Sequence, residues 1–139
     1  MLMNLLQNTN YLAALTAACA YFALGAIWYS PMLFANSWMQ AVGKTKEELQ
    51  GGSKMAYLYT FLSELVISMA LACVVQLVNG LPTVMLGIKI GLACGLGFAF
   101  TTMWINASFS QRPRSLLLID AGYHLVGFMI AGAIVSMWR

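Results

Sequence analysis

The sequence predicts an all-α integral membrane four-helix bundle, with a short interfacial amphipathic helix between the first and second spans. Three observations predict it. Four apolar runs, 10–29, 55–78, 83–106 and 115–138, each reach the roughly 20 residues a helix needs to cross a hydrocarbon core of about 30 Å. Of 139 residues, 61% are hydrophobic and 8% charged, against about 25% charged in an average soluble domain. That leaves too little polar surface to cover a water-soluble globule. Finally, a membrane β-barrel needs segments of about 10 alternating residues, and the sequence has none. Backbone groups in lipid must be satisfied within their own segment, so each run is read as a helix. The 139 residues form one transmembrane domain on this reading.

The first span has no Lys or Arg before Lys44. It therefore lacks the basic region of a signal peptide and is read as a helix of the mature protein. Ala14, Ala18, Tyr21, Gly25 and Trp28 fall on one heptad-like stripe of it. In the connection that follows, "FANSWMQAVG" sets Phe34, Trp38, Met39 and Val42 on one face, the pattern of an interfacial amphipathic helix. "TKEE" offers Thr45 as a cap and Glu48 as its reciprocal partner, and Gly51-Gly52 ends that short helix. Trp28, Tyr29, Trp38 and Trp104 are expected at the membrane boundary as an aromatic belt.

Between the second and third spans, "NGLPT" gives an Asn79-Gly80 turn with Pro82 near the first helical position. Those two spans should be antiparallel neighbours. The third span reads "GIKIGLACGLG", with Gly87, Gly91 and Gly95 at spacing four. Small residues let helix backbones approach in lipid, so a close partner helix is expected there, within the chain or across copies. Lys89 lies about 160° from Gly91 around the helix and is outside that seam. Cys19, Cys73 and Cys94 lie inside spans without a CxxC pair, and no disulfide is expected.

Lys44, Lys46 and Lys54 follow the first span, and Arg112 and Arg114 follow the third. Only Arg139, and Lys89 by reaching outward, oppose them. The positive-inside rule then puts both basic loops in the cytoplasm and both termini on the outer side of the membrane. These anchors account for the net charge of +3, so no nucleic-acid partner is expected. The lipid bilayer is the partner, and a chain of this size is expected to gain from pairing as a homodimer.

In the fourth span, "LLLIDAGYHLVGF" places Asp120 about 7–8 Å and His124 about 13–14 Å deep, four residues apart on one face. Tyr123 flanks them. Glu64, on a Thr60–Glu64–Ser68 stripe of the second span, comes to the depth of His124. Tyr21, Thr101 and Thr102 reach similar depth, and Asn106 lies nearer the level of Asp120. Three ionisable groups facing lipid would cost on the order of 8 kcal/mol, so they should meet inside the bundle. Tyr21, Thr102 or a charged His124 are the expected donors to the carboxylates. The cluster then reads as Tyr21, Glu64, Thr102, Asn106, Asp120, Tyr123 and His124.

Its roles divide into a hydrogen-bonded buckle between helices, a proton or ion pathway, and a metal site for which two carboxylates and one imidazole are a thin ligand set. A catalytic role has no nucleophile–base motif behind it: GxSxG, HExxH, the P-loop and the dinucleotide fingerprint are all missing. No enzyme activity, cofactor or metal is expected.

"LGAIWYSPMLFANSWMQAVGKTKEEL" and "LGFAFTTMWINASFSQRPRSLLLIDAGYHLVGFMIAGAI" resemble the domain of unknown function 1761 family of small bacterial membrane proteins. Gly25, Trp28, Tyr29, Pro31, Trp38, Met39, Thr101, Asn106, Arg112, Pro113, Gly122, Tyr123 and His124 carry the resemblance. It implies four spans and a bacterial membrane, and no reaction. The sequence thus leaves two classes: a non-catalytic scaffold or accessory subunit, or a small transporter or proton-conducting unit using Glu64, Asp120 and His124 as relay groups.

Overall fold

The structure, a computed structural model, describes residues 2–50, 52–78 and 83–138. Among them every regular element is helical: α1 (Leu2–Gln7), α2 (Tyr11–Trp28), α3 (Ala35–Val42), α4 (Lys46–Gln50), α5 (Lys54–Leu77), α6 (Val84–Cys94), a π-helical turn (Gly95–Phe100), α7 (Thr101–Ser110) and α8 (Arg114–Met137). Four stretches are long and apolar enough to cross a membrane: Tyr11–Trp28, Lys54–Leu77, Val84–Ser110 and Arg114–Met137. The chain is thus an all-α membrane bundle. The third stretch runs on to Ser110 rather than ending near Asn106, and the short α1 was not expected. The Asn79-Gly80 turn, Pro82, Gly51 and Arg139 lie outside the described residues.

Local chemistry sets the helix starts. Asn10 caps α2 by accepting from the Ala13 amide at 3.0 Å. Ser53 caps α5 at 3.2 Å through Met55, and Thr83 caps α6 at 3.1 Å through Leu86. Each satisfies an amide that the first helical turn leaves without a partner. Before α4, the Thr45 amide donates to Glu48 at 2.7 Å and the Glu48 amide to the Thr45 hydroxyl at 3.3 Å, a closed capping box.

Helix α8 is central. It packs on α2, on α5 and most extensively on α6, while α2 also packs on α5. The α6–α8 contact is the glycine seam. A methyl on Gly87 would overlap the Gly132 carbonyl, and one on Gly91 would overlap the Phe128 carbonyl. Gly95 has Leu125 and Phe128 side chains against it. The seam therefore packs within the chain, with backbones in direct contact. Lys89 is exposed and away from it. The shared core comprises Ala17, Tyr21, Leu71, Ala72, Val75, Tyr123, Ala131 and Val135.

Past Gly95 the third span loosens its grip. The π-helical turn (Gly95–Phe100) has wider i→i+5 pairing, which re-aims the residues after it. No residue of α7 is buried. At the other end of the bundle Gln76 donates to Thr9 at 2.9 Å and Asn10 to the Trp138 carbonyl at 3.0 Å, tying the termini together.

Helix α3 lies against α8. Phe34, Trp38, Met39 and Val42 are half-buried, while Asn36, Ser37 and Gln40 are exposed. Gly43, at φ 72°, closes the helix in the left-handed conformation, its amide bonded to the Met39 carbonyl at 2.9 Å.

Candidate functional site

Every ionisable side chain of the expected cluster lies in the bundle with a partner from a different element. The partners are aromatic. Tyr123 on α8 donates its hydroxyl to Glu64 Oε1 on α5. Tyr21 on α2 bonds His124 Nδ1 on α8 at 2.8 Å, with the His124 carbonyl also within 3.3 Å of the same hydroxyl. Tyr29, at the end of α2, donates to Asp120 Oδ1 at 2.8 Å, and Trp38 on α3 donates its indole N–H to the same oxygen at 3.1 Å. Trp28 donates to the Ile119 carbonyl at 3.0 Å.

The rings form one continuous stack behind these bonds. Tyr21 and Tyr123 meet edge to face at 5.3 Å, Tyr29 and Tyr123 at 5.5 Å, and Tyr29 and Trp38 at 5.8 Å. Tyr123 and His124 are tilted at 4.9 Å. Edge-to-face pairs of this kind add about 0.5–1.5 kcal/mol beyond the area they bury.

Glycines make the room. A methyl on Gly127 would enter the Tyr21 ring. At Gly25 it would lie 3.2 Å from the Tyr123 hydroxyl, and at Gly122 3.1 Å from Trp28. Two bulky rings from α2 thus lie flat on small residues of α8, which is how a phenol of α2 reaches an imidazole of α8.

The site is graded in burial. Glu64 and Tyr21 are 2% and 0% exposed, whereas Asp120 and His124 are half-buried. Glu64 Oε2 and Ser68 Oγ are buried and have no hydrogen-bond partner among the described residues. They are four residues apart, on one face of α5. Among the described residues no three of His, Cys, Asp and Glu are placed to hold one ion. Cys19, Cys73 and Cys94 are free thiols.

Several expectations are corrected. Thr102 and Asn106 are exposed on α7 and take no part in the cluster. Depth counting says nothing of direction around the helix, and α7 beyond the π-helical turn buries nothing. Thr60 is also exposed, its hydroxyl spent on the Ala56 carbonyl at 2.8 Å, and Thr101 is bonded to the Gly97 carbonyl at 2.7 Å. Tyr21 serves His124 rather than a carboxylate. The carboxylates are served by Tyr123, Tyr29 and Trp38, two of which were expected only at the membrane boundary. Trp104 is 46% exposed, on α7.

The signal for the missed donors was in the sequence. Tyr and Trp carry a polar tip that seeks a partner when the ring is buried. By the counting that placed Asp120 about 7–8 Å deep, Tyr29 lies at the boundary above it, a separation that one long aromatic side chain spans.

These features define a class: an all-α membrane bundle whose internal acids and imidazole are tied across elements by aromatic hydrogen-bond partners. Residues 12–136 match the model of the family described as "Protein of unknown function (DUF1761)". The chain belongs to that family. No curated protein and no solved structure matches it.

Proposed function

We propose that the chain is a non-catalytic component of the bacterial inner membrane, a scaffold or accessory subunit whose buried polar cluster locks its helices in register. One observation carries this reading: Glu64, Asp120 and His124 each bond an aromatic side chain from another element. An ionisable group alone in lipid costs about 2.5–3.5 kcal/mol on insertion scales. A misassembled bundle would incur that cost three times, so the cluster disfavours wrong pairings. The partner in this proposal is the bilayer. The glycine seam is already occupied within the chain, so a homodimer would form through other surfaces. Lys44, Lys46, Lys54, Arg112 and Arg114 favour an orientation with those loops in the cytoplasm and both termini outside.

A second reading, a proton- or ion-conducting unit, is favoured by one specific observation. Glu64 Oε2 and Ser68 Oγ have no partner among the described residues, which a fully paired structural buckle does not require. Purified protein in liposomes carrying a pH-sensitive dye separates the two. The structural proposal expects proton flux equal to that of protein-free liposomes. Flux that the protein raises and Glu64→Gln abolishes would replace it with the conducting reading.

A further inference from the structure

Between α3 and α4 the chain folds back on itself. Gly43 takes the left-handed conformation at φ 72°, and its amide and that of Lys44 both bond the Met39 carbonyl, at 2.9 and 3.2 Å. This turn leaves an open cleft of about 530 Å³, a volume in the range of small-ligand sites. Asn36 and Gln40, one turn apart on the exposed face of α3, line it from the helix, and Lys44, Thr45 and Lys46 line it from the returning chain. Half-buried Met39 supplies the apolar part of the lining. The backbone amides of the corner are spent, on Met39 and, from Thr45, on Glu48 Oε2 at 2.7 Å. A ligand therefore meets side chains: two ammonium groups, two carboxamides and a hydroxyl, a set rich in donors. No acid lines the cleft, and Glu48 beside it spends its carboxylate on the Thr45 amide.

We propose that this cleft holds the phosphate headgroup of an anionic phospholipid, with Lys44 and Lys46 on the phosphate and Asn36, Gln40 and Thr45 as its neutral hydrogen-bond partners. The setting selects a lipid. Helix α3 lies at the rim of the bundle, where Trp38 bonds Asp120 at 3.1 Å. Met32 and Leu33, just before it, are 92% and 48% exposed, and at a membrane surface such side chains lie among acyl chains. Met39 continues that apolar side into the cleft, so the lining is amphipathic as a headgroup and its glycerol are. The charge selects an anionic lipid. Lysine binds phosphate as a compact point charge, and a zwitterionic headgroup would bring its own ammonium against the two lysines. No ionisable residue of the buried cluster lines the cleft, so failure of this proposal leaves the structural role above standing.

The full chain in detergent is titrated with phosphatidylglycerol or with phosphatidylcholine of the same acyl chains, and retained lipid is read by native mass spectrometry. Wild type is expected to retain phosphatidylglycerol in preference. A lysine at an anionic lipid surface contributes about fivefold in affinity. Lys44→Gln should therefore weaken phosphatidylglycerol about fivefold, and Lys44→Gln with Lys46→Gln about 25-fold. Lys54→Gln removes the same charge from the start of α5, outside the cleft, and should change nothing. Gln40→Phe fills the cleft at constant charge and should weaken phosphatidylglycerol as well. These positions are exposed, so the variants are expected to fold, with helical circular dichroism as the control. Equal retention of the two lipids by wild type overturns the proposal. So does a loss in Lys54→Gln equal to that in Lys44→Gln, which would show a diffuse field rather than a site. Millimolar inorganic phosphate, matched in ionic strength with sodium chloride, should not displace the lipid. Displacement by phosphate and not by chloride would reassign the cleft to a soluble phosphate and overturn the lipid assignment.

Discussion

Trp38 donates its indole N–H to Asp120 Oδ1 at 3.1 Å across 82 residues of sequence. That bond, with the Tyr29 hydroxyl on the same oxygen at 2.8 Å, accounts for an aspartate near the start of an apolar helix. Asp120 is the rim anchor that holds α3 down on α8. Hydrogen bonds to charged groups contribute about 1.5–3 kcal/mol, more than neutral ones.

Trp38→Phe keeps the ring and removes the donor. The expected outcome is faster amide hydrogen exchange across Ala35–Val42 with the four long helices unchanged, read by exchange mass spectrometry in nanodiscs. Asp120→Leu, which leaves both donors without their acceptor, should loosen α3 further. Unchanged exchange in both variants would show that α3 docks by its apolar face alone.

The glycines of the third span should fall into two classes. Gly91→Ala places a methyl on the Phe128 carbonyl, and overpacking of this kind costs about 1–3 kcal/mol. Gly97→Ala meets nothing within 4 Å and should be neutral, or stabilising through helix propensity. Unfolding of the two variants in bicelles tests the pair, and equal effects would contradict an in-chain seam.

Much of this architecture was legible from residues. The spans follow from apolar length, the α6–α8 contact from Gly87, Gly91 and Gly95, and the start of α4 from Thr45 and Glu48. Depth along a helix was also legible, which is why Glu64 and His124 were expected to share a level. Azimuth was not. Thr102 and Asn106 are exposed rather than turned into the bundle, and the π-helical turn at Gly95–Phe100 that precedes them has no marker in "GLGFAF". The Tyr21–His124 bond depends on Gly127 lying beneath the Tyr21 ring, a relation between helices that no single segment encodes.

The correction at α7 has its own test. Asn106→Ala and Thr102→Ala should each change stability by less than about 0.5 kcal/mol, as substitutions away from buried networks do. Tyr21→Phe should cost more, since it removes the partner of His124. A cost at Asn106 matching that at Tyr21 would put α7 back against the cluster.

Orientation is checked by cysteine labelling. With Cys19, Cys73 and Cys94 replaced by Ala, single Lys44→Cys and Arg112→Cys variants are expected to react with an impermeant maleimide only after the cytoplasmic side is opened. Reaction in intact cells at both positions would invert the topology.

The central claim is that the buried acids and imidazole act as ties between helices, and the Tyr123–Glu64 pair tests it most directly. A double-mutant cycle of Tyr123→Phe and Glu64→Met, by unfolding in bicelles, isolates that pair from the packing each side chain also supplies. Transmembrane hydrogen bonds measured in this way average about 0.6 and reach about 1.7 kcal/mol, and a coupling in or above that range is the predicted result. A coupling of zero within error, with Glu64→Met as stable as wild type, would contradict it.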